Sequence, residues 1–262
     1  MIPSLAMSDH VALEIKVQEY TNKIKWLLLG IAGIGILGGG YLLLERQSEK
    51  QQNDAFAAFY VAEKIEEDAM KAEVESTKET ATEKDSAKKT VPNSAKTPKD
   101  SFYEIAKSWD ESKLKPYLEA LEKTETQYPK SMAATLAHLR HGNLFVHLGQ
   151  MDNAEKHFKK VASDFKPKNE ESAIFLAIAY EALGSIYEQQ KKWDLALGNF
   201  QSAEKVSQTP LKPLALLGMA RVYQAQGKVE DSHKIFDRVI SEFPNSDFEK
   251  RARALKFLPS QG

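Results

Sequence analysis

Histidine is the residue type in this sequence best suited to chemistry, because an imidazole can bind a metal ion or transfer a proton near neutral pH. The chain has six histidines. His138 and His141 are one helical turn apart, so a helix would place both on one face. His147, the next along the chain, falls on a different face. We therefore expect a packed or partly exposed histidine pair, and the sequence predicts neither a metal site nor a cofactor.

Other signs of catalysis are missing from the sequence. The chain has no cysteine, which excludes a disulfide framework, a thiolate metal site and a thiol nucleophile. It has no Gly-x-Ser-x-Gly motif and no phosphate-binding loop, and its carboxylates fall on predicted solvent faces. We expect no catalytic residue, no small-molecule substrate and no enzymatic activity.

The overall charge also narrows the range of partners. The 36 lysines and arginines nearly cancel the 37 aspartates and glutamates. No basic stripe with interleaved aromatic residues is present, so nucleic acid is not an expected partner.

The histidine pair belongs to a pattern that is best formed from Tyr180 to Ala203. Apolar and small residues recur there at helical spacing, pause at a polar turn, and recur again, which predicts two short helices. The first helix carries Tyr180, Leu183, Gly184 and Tyr187, and the second carries Ala196, Phe200 and Ala203. This order resembles the tetratricopeptide repeat (TPR).

Copies of the pattern lie on both sides. The later copy carries Leu216, Met219, Ala220 and Tyr223, then Ser232 and Phe236; the earlier one carries His138, His141, Gly142 and Phe145, then Ala154 and Phe158. Extra length before the central copy falls at 165–172, which predicts a longer turn between repeats. Since one such helix pair cannot bury its own apolar faces, the copies should stack. The sequence thus predicts an all-α solenoid of helical hairpins, a TPR domain over 101–262.

The end of this domain has the composition of a capping helix. Between Ser246 and Leu258, Phe248, Ala252 and Leu255 would face the last repeat, while Lys250, Arg251, Arg253 and Lys256 would face water. A repeat stack needs such a polar outer face at its end. An interaction patch is the alternative interpretation.

A run without charged residues, 26–44, predicts a transmembrane helix, because its length matches the hydrocarbon core of a bilayer. Trp26 and Tyr41 stand near its ends, as an aromatic belt would. A cleaved signal peptide and a buried helix are the alternatives. Lysines before the run favour a cytoplasmic segment at 1–25 and an exported C-terminal part. Gly35 and Gly39 form a small-x3-small pair that could dock another membrane helix, or could reflect the ordinary glycine content of such helices.

Two further segments separate this run from the repeats. Residues 45–75 predict an amphipathic juxtamembrane helix, and residues 52–70 within it repeat the first-helix spacing, with 116–127 as a possible partner. Residues 76–100 are rich in Lys, Thr and Ser and poor in apolar residues, which predicts a disordered insertion. A lysine-rich tether near anionic lipid is the alternative interpretation of this insertion.

The first helices of a TPR stack line its concave surface, so the sequence predicts the residues of a partner-binding face. Much of this face is apolar, and the Lys, Asn and Arg residues with which some TPR proteins grip peptide C-termini match poorly. An extended apolar segment or a helix is therefore the expected ligand. The predicted residues are Leu136, Leu139, Asn143, Val146, Ile178, Glu181, Ser185, Glu188, Leu214, Leu217 and Arg221.

The order of segments, the helix from 52 to 70 and the Ala- and Leu-rich helix pair starting near Ser131 together resemble the YfgM-like family. These are bacterial inner-membrane proteins described as ancillary subunits of the SecYEG translocon. The resemblance implies a single-pass inner-membrane protein with a cytoplasmic N-terminus and a periplasmic, non-enzymatic domain. It further implies translocon subunits, periplasmic chaperones or envelope proteins as partners, and a role in helping newly exported proteins. The insertion at 76–100 departs from the family pattern.

A second resemblance is to the cell-division coordinator proteins that work with the Tol-Pal system. Their second helices end in a Phe/Tyr-Pro-x-Ser turn, as Phe243 to Ser246 does here. This resemblance implies a cell-envelope scaffold that is secreted after signal cleavage.

Overall fold

The computed structural model describes residues 46–73, 75, 98–206 and 211–257. The chain divides into two compact units, Met1–Asn53 and Asp54–Gly262. In the first unit the described residues, 46–53, are helical. The predicted cytoplasmic segment 1–25, the predicted span 26–44 and its glycine pair Gly35 and Gly39 lie outside the described residues. Among the helices that are described, none has the length and apolar character needed to cross a membrane.

The second unit is built from helices, and its described residues contain no strand. The prediction of an all-helical fold is therefore confirmed for the described residues. The predicted insertion at 76–100 overlaps this helical part at 98–100, and its remainder lies outside the described residues. The helices are α1 (54–73), α2 (Pro98–Lys107), α3 (Glu111–Gln127), α4 (Met132–His147), α5 (Met151–Asp164), α6 (Glu170–Gln189), α7 (Trp193–Lys205), α8 (Lys212–Ala225), α9 (Val229–Glu242) and α10 (Asp247–Lys256).

Helices α4 to α9 form three hairpins, α4–α5, α6–α7 and α8–α9, in which each helix packs against the next along the chain. The turns inside the hairpins share one conformation, with positive φ at Gly149, Lys191 and Gly227. The backbone N–H of the following residue donates to the carbonyl of Phe145, Tyr187 or Tyr223, at 2.8, 2.9 and 2.9 Å. These three carbonyls belong to the equivalent first-helix aromatic residues, so the repeat register predicted from the sequence is the one observed.

In the first two hairpins, the helices cross closely where a first-helix glycine faces a second-helix phenylalanine, whereas the third hairpin has Ala220 at the equivalent position. A Cβ atom added to Gly142 would lie 2.7 Å from the ring of Phe158, and one added to Gly184 would lie 2.6 Å from the ring of Phe200. Such distances are too short for a methyl group. The glycine is thus required by packing, and the buried ring fills the space that the missing side chain leaves.

Two clusters of buried apolar side chains hold the unit together. The repeat core runs through α4 to α10 and includes Phe158, Phe200 and Phe236. The N-terminal core includes Phe59 of α1, Phe102 of α2, Tyr117 of α3, and Ala133, Ala137 and Leu144 of α4. Helix α4 also contributes Leu139 to the repeat core, so it belongs to both.

The first helix of the unit is also fixed to α4 by charge. The guanidinium of Arg140 lies 3.0 Å from a carboxylate oxygen of Glu66 and 3.6 Å from one of Glu63. Burial is the largest single effect and acts to lower the pKa of Arg140, but Glu66 together with Tyr103 and Tyr117 outweighs it, so the pKa is raised. This helix therefore contacts the start of the repeats through both apolar packing and an ion pair.

Helix α10 occupies the position predicted for the capping helix, against α8 and α9. The Ser246 hydroxyl caps it by accepting from the Glu249 N–H at 3.1 Å, and Ala252 is fully buried. Gln224 of α8 donates to the Leu255 carbonyl at 3.1 Å. Lys256, which the sequence places toward water, is instead mostly covered and pairs with Asp237 of α9 at 2.6 Å.

Candidate partner-binding surface

The first helices of the hairpins lie on the inner side of the stack. α4 contacts α6, and α6 contacts α8, in addition to the contacts within and between neighbouring hairpins. No comparable contact joins the second helices α5, α7 and α9 in the described part of the chain. In a curved stack of helices, those on the inner side lie closer to one another than those on the outer side. The inner surface is therefore formed by α4, α6 and α8.

Equivalent positions on these three helices carry Leu136, Ile178 and Leu214. All three side chains are half-buried, which leaves each with apolar surface that a ligand could cover. We call them the apolar row. Val146, nearer the end of α4, is also half-buried. By contrast, Leu139 and Leu217 are 5% and 0% exposed and are part of the repeat core, so they support the surface without being available to a ligand.

A second row, made by Asn143, Ser185 and Arg221, is polar. Arg221 forms a two-pronged ion pair with Glu188, with Nε to Oε1 at 2.9 Å and Nη2 to Oε2 at 2.7 Å. The hydroxyl of Ser185 donates to Glu181 at 3.2 Å. The charged groups on this part of the surface thus bind one another.

The environment of Glu181 shows how apolar this region is. Burial is the main cause that raises the pKa of Glu181, and the nearby charge of Glu188 adds to the rise. The hydroxyl of Ser185 and the charge of Arg221 oppose it. Since Arg221 is engaged by Glu188, a ligand carboxylate would have to compete with that ion pair. The surface is better suited to apolar side chains along the apolar row.

A groove of about 510 Å³ lies elsewhere, between α3 and the end of α4, and it contains none of the predicted surface residues. The sequence did not predict this groove, because one wall comes from α3, which the sequence indicated only as a possible partner helix at 116–127. Its lining includes Leu114, Leu118, Glu122, Phe145, Leu148 and Gln150.

Sequence reasoning also missed the surroundings of the histidine pair. The Nδ1 atoms of His138 and His141 lie 3.1 and 2.8 Å from Oε1 of Glu125, on α3. His157 of α5 places its Nδ1 3.4 Å from the same oxygen and 3.1 Å from Nδ1 of His138. His147, the neighbour considered from the sequence, stacks on Tyr103 instead. One indication in the sequence that His157 lies near the histidine pair is that it directly precedes Phe158, the residue at the helix crossing.

The carboxylate of Glu125 is 8% exposed. Burial by itself would raise the pKa of Glu125, but hydrogen bonds from the three imidazoles outweigh burial, and the pKa lies well below its usual range. The ring of Phe145 stacks on His141, with centroids 5.4 Å apart and planes 4° apart. The cluster is thus a buried carboxylate surrounded by imidazoles and covered by an aromatic ring.

Stacked helix pairs with a glycine–phenylalanine crossing and a shared inner surface define a tetratricopeptide-repeat domain. Comparison with protein families agrees, because the model described as tetratricopeptide repeat matches residues 132–209, and a second model of that description matches 214–246. The first match covers α4 to α7, and the second covers α8 and α9. The chain therefore carries a TPR protein-interaction module, which points to protein partners and suggests a non-catalytic role.

Among curated proteins, the chain is similar to one from Neisseria gonorrhoeae named "Ancillary SecYEG translocon subunit". The two are 27% identical over 136 residues, which is 52% of this chain and 61% of that relative. The match thus spans less than two thirds of the relative's own length. Together with the repeat matches, it supports a YfgM-like TPR protein, and the family resemblance predicted from the sequence is confirmed.

Proposed function

We propose that this protein is a membrane-anchored adaptor at the Sec translocon, whose TPR domain holds apolar segments of newly exported proteins and works with periplasmic chaperones. The observation that carries this proposal is the apolar row, Leu136, Ile178 and Leu214, at equivalent positions of three consecutive inner helices. The printed name of the Neisseria gonorrhoeae relative supports the choice of the translocon as the site of action.

The chemistry of the inner surface favours an amphipathic segment as ligand. Its apolar side would cover the apolar row, and its polar side would face Asn143 and Ser185. Each half-buried aliphatic side chain offers only part of the roughly 1.5–3 kcal/mol that full burial contributes. Ordering of the segment opposes binding, so we expect weak, rapidly reversible complexes. That behaviour suits a protein that must release exported chains.

The proposed membrane arrangement follows the sequence. Residues 26–44 span the inner membrane, residues 1–25 are cytoplasmic, and the TPR domain is periplasmic. The pair Gly35 and Gly39 provides a face on which a translocon helix docks.

The proposal is tested by photo-crosslinking in membranes of the bacterium that makes the protein. A benzophenone amino acid replaces Ile178 on the inner surface, and Lys205, exposed at the end of α7, serves as the matched control position. We expect mass spectrometry to find translocon subunits, chaperones or exported proteins crosslinked at Ile178 in clear excess over Lys205. Equal yields at the two positions, or no protein crosslink at Ile178, would contradict the proposal.

A cell-envelope scaffold of the Tol-Pal type is a second candidate, favoured by the helix ends at Tyr128 and Phe243. Each is followed by proline and by a serine, Ser131 or Ser246, whose hydroxyl caps the next helix at 3.0 or 3.1 Å. The mass of the mature protein separates the candidates. Retention of 26–44 supports the translocon adaptor, whereas cleavage supports the secreted scaffold.

A further inference from the structure

We propose that Glu125, His141 and His157 form a binding site for a divalent transition-metal ion of the zinc type, with His138 as the adjoining fourth donor. The site would join three helices, because Glu125 is on α3, the two neighbouring histidines are on α4, and His157 is on α5. This inference does not depend on the proposed function.

The distances between the donor atoms are those of a small metal site. Zinc binds imidazole nitrogen and carboxylate oxygen at about 2.0–2.2 Å, so tetrahedral ligand atoms lie roughly 3.3–3.5 Å from one another. Oε1 of Glu125 lies 2.8, 3.1 and 3.4 Å from the Nδ1 atoms of His141, His138 and His157. The ligand atoms of Glu125, His141 and His157 are all within 4.8 Å of one another. Movements of roughly an ångström or less for each donor atom would complete a three-ligand site.

Hydrogen bonds alone do not give every nitrogen and oxygen atom of this cluster a suitable partner. Each Nδ1 carries either a hydrogen or a lone pair, and a carboxylate oxygen has two lone pairs with which to accept. Three imidazoles nevertheless converge on Oε1 of Glu125, and the Nδ1 atoms of His138 and His157 face each other at 3.1 Å. If all three Nδ1–H groups donate to Oε1, the Nδ1 atoms of His138 and His157 face each other as two donors with no acceptor between them. A cation at the centre removes the conflict, because it binds lone pairs from every donor.

Burial and donor type favour zinc over calcium or magnesium. The side chains of His141, His138 and His157 are 7%, 15% and 20% exposed, so the site is mostly closed but has an edge through which an ion can enter. Imidazole is a good ligand for zinc, copper and nickel, whereas calcium and magnesium prefer oxygen ligands. With neutral imidazoles, the single carboxylate offsets half the charge of a divalent ion.

The test is a zinc titration of the full chain, purified in detergent without a histidine tag and stripped with a chelator. Calorimetry should show one zinc ion per chain. At zinc concentrations about 100-fold above Kd, the melting temperature should rise by roughly 5 °C or more. Absence of both binding and a thermal shift at micromolar zinc overturns the proposal.

The matched variants are His157→Ala and His233→Ala, each lacking one half-buried imidazole. His233 lies on α9, where it bonds to the Lys256 carbonyl, far along the stack from the cluster. We expect His157→Ala to weaken zinc binding by more than about 100-fold, above the range typical of outer-shell changes. His233→Ala should bind zinc as the unaltered chain does. Unchanged affinity in His157→Ala would overturn the proposal.

Cobalt provides a measurement that needs no variant. Co²⁺ added to the unaltered chain should give the intense visible absorption of four-coordinate cobalt, and zinc should displace it. The weak spectrum of six-coordinate cobalt in water, unchanged by the protein, would overturn the proposal even if His157→Ala failed to fold.

Discussion

The ring of Phe200 lies between two glycines, Gly184 of its own hairpin and Gly218 of the next. A Cβ atom at either glycine would lie 2.6 Å from the ring. The ring is fully buried, so it has little room to move away. A single phenylalanine therefore sets how closely α7 approaches both α6 and α8.

This contact gives a prediction with an internal control. Gly184→Ala should lower the free energy of unfolding by about 1–3 kcal/mol, because the added methyl group overpacks the crossing. Gly198→Ala, at a position in α7 where a Cβ meets nothing within 4 Å, should instead raise it by about 0.5–1 kcal/mol by improving helix propensity. Urea denaturation of the two variants measures both effects. A Gly184→Ala variant as stable as the unaltered chain would show that the register described for this crossing is wrong.

At the residue scale, the sequence predicts those residues that the packing of the repeat requires. Gly184 and Phe200 were recognisable because the crossing requires a small residue opposite an aromatic one. Glu125 and His157 were not, because a histidine cluster depends on which turns of three different helices meet. Which side chains come together depends on the rise of each helix and on the angle between neighbouring helices. Neither can be predicted from the spacing of residues along one helix. The availability of Leu139 and Leu217 was misjudged for the same reason.

Helix α10 shows how one element can close the stack. One face covers the ends of α8 and α9, and the opposite face carries exposed basic residues. Ala252 is fully buried in the contact, whereas Ala254 on the same helix is exposed. Substitutions at these two alanines therefore distinguish an effect on the docking of the helix from an effect on its intrinsic stability.

We predict that Ala252→Asp lowers the free energy of unfolding by about 2–4 kcal/mol, since it buries an unpaired charge or displaces the helix. Ala254→Asp changes the same residue type on the exposed face and should lower the free energy of unfolding by less than about 1 kcal/mol, through helix propensity and the helix dipole. Thermal denaturation, with light scattering to detect association, compares the two. Equal effects would mean that α10 does not cap the repeats.

The positions of helices and turns could be predicted where the sequence carried clear stop and capping residues. The ends of α3 and α9 were marked by proline and the next helices by a capping serine. The long turn predicted at 165–172 is observed at 165–169, and its last three residues belong to the first turn of α6. The insertion predicted at 76–100 extends too far, because α2 begins at Pro98, within a polar stretch whose composition favours disorder. The packing of Phe102 and Tyr103 in the N-terminal core gives that segment its order.

At the scale of the whole domain, α4 belongs to both the repeat core and the N-terminal core. Its Leu144 is fully buried in the N-terminal core, while Leu139 packs in the repeat core. In a stack where each pair touches only its neighbours, stability is transmitted from one pair to the next. Damage to α4 should therefore spread in both directions, and damage at the far end should not.

Hydrogen exchange can test this. Leu144→Ala, a change that typically costs about 2–5 kcal/mol, should speed amide exchange in α1 to α3 and also in α5. Val239→Ala, at a fully buried position of α9, should speed exchange in α8 to α10 and leave α1 to α3 unchanged. Mass spectrometry of peptic peptides locates the changes. Faster exchange across the whole domain in both variants would mean that it unfolds as one unit.

The contact between Phe200 and Gly218 also restricts how further repeats can be added to the chain. Repeat arrays lengthen by duplication of a unit, and the row formed by Leu136, Ile178 and Leu214 would gain a position from a copied α6–α7 hairpin. In such a copy, Ala182 would occupy the place that Gly218 holds against Phe200. Its methyl group would meet the ring, so duplication in tandem would require a compensating change at that junction. The hairpins share a pattern, but the seam between α7 and α8 depends on the glycine at position 218.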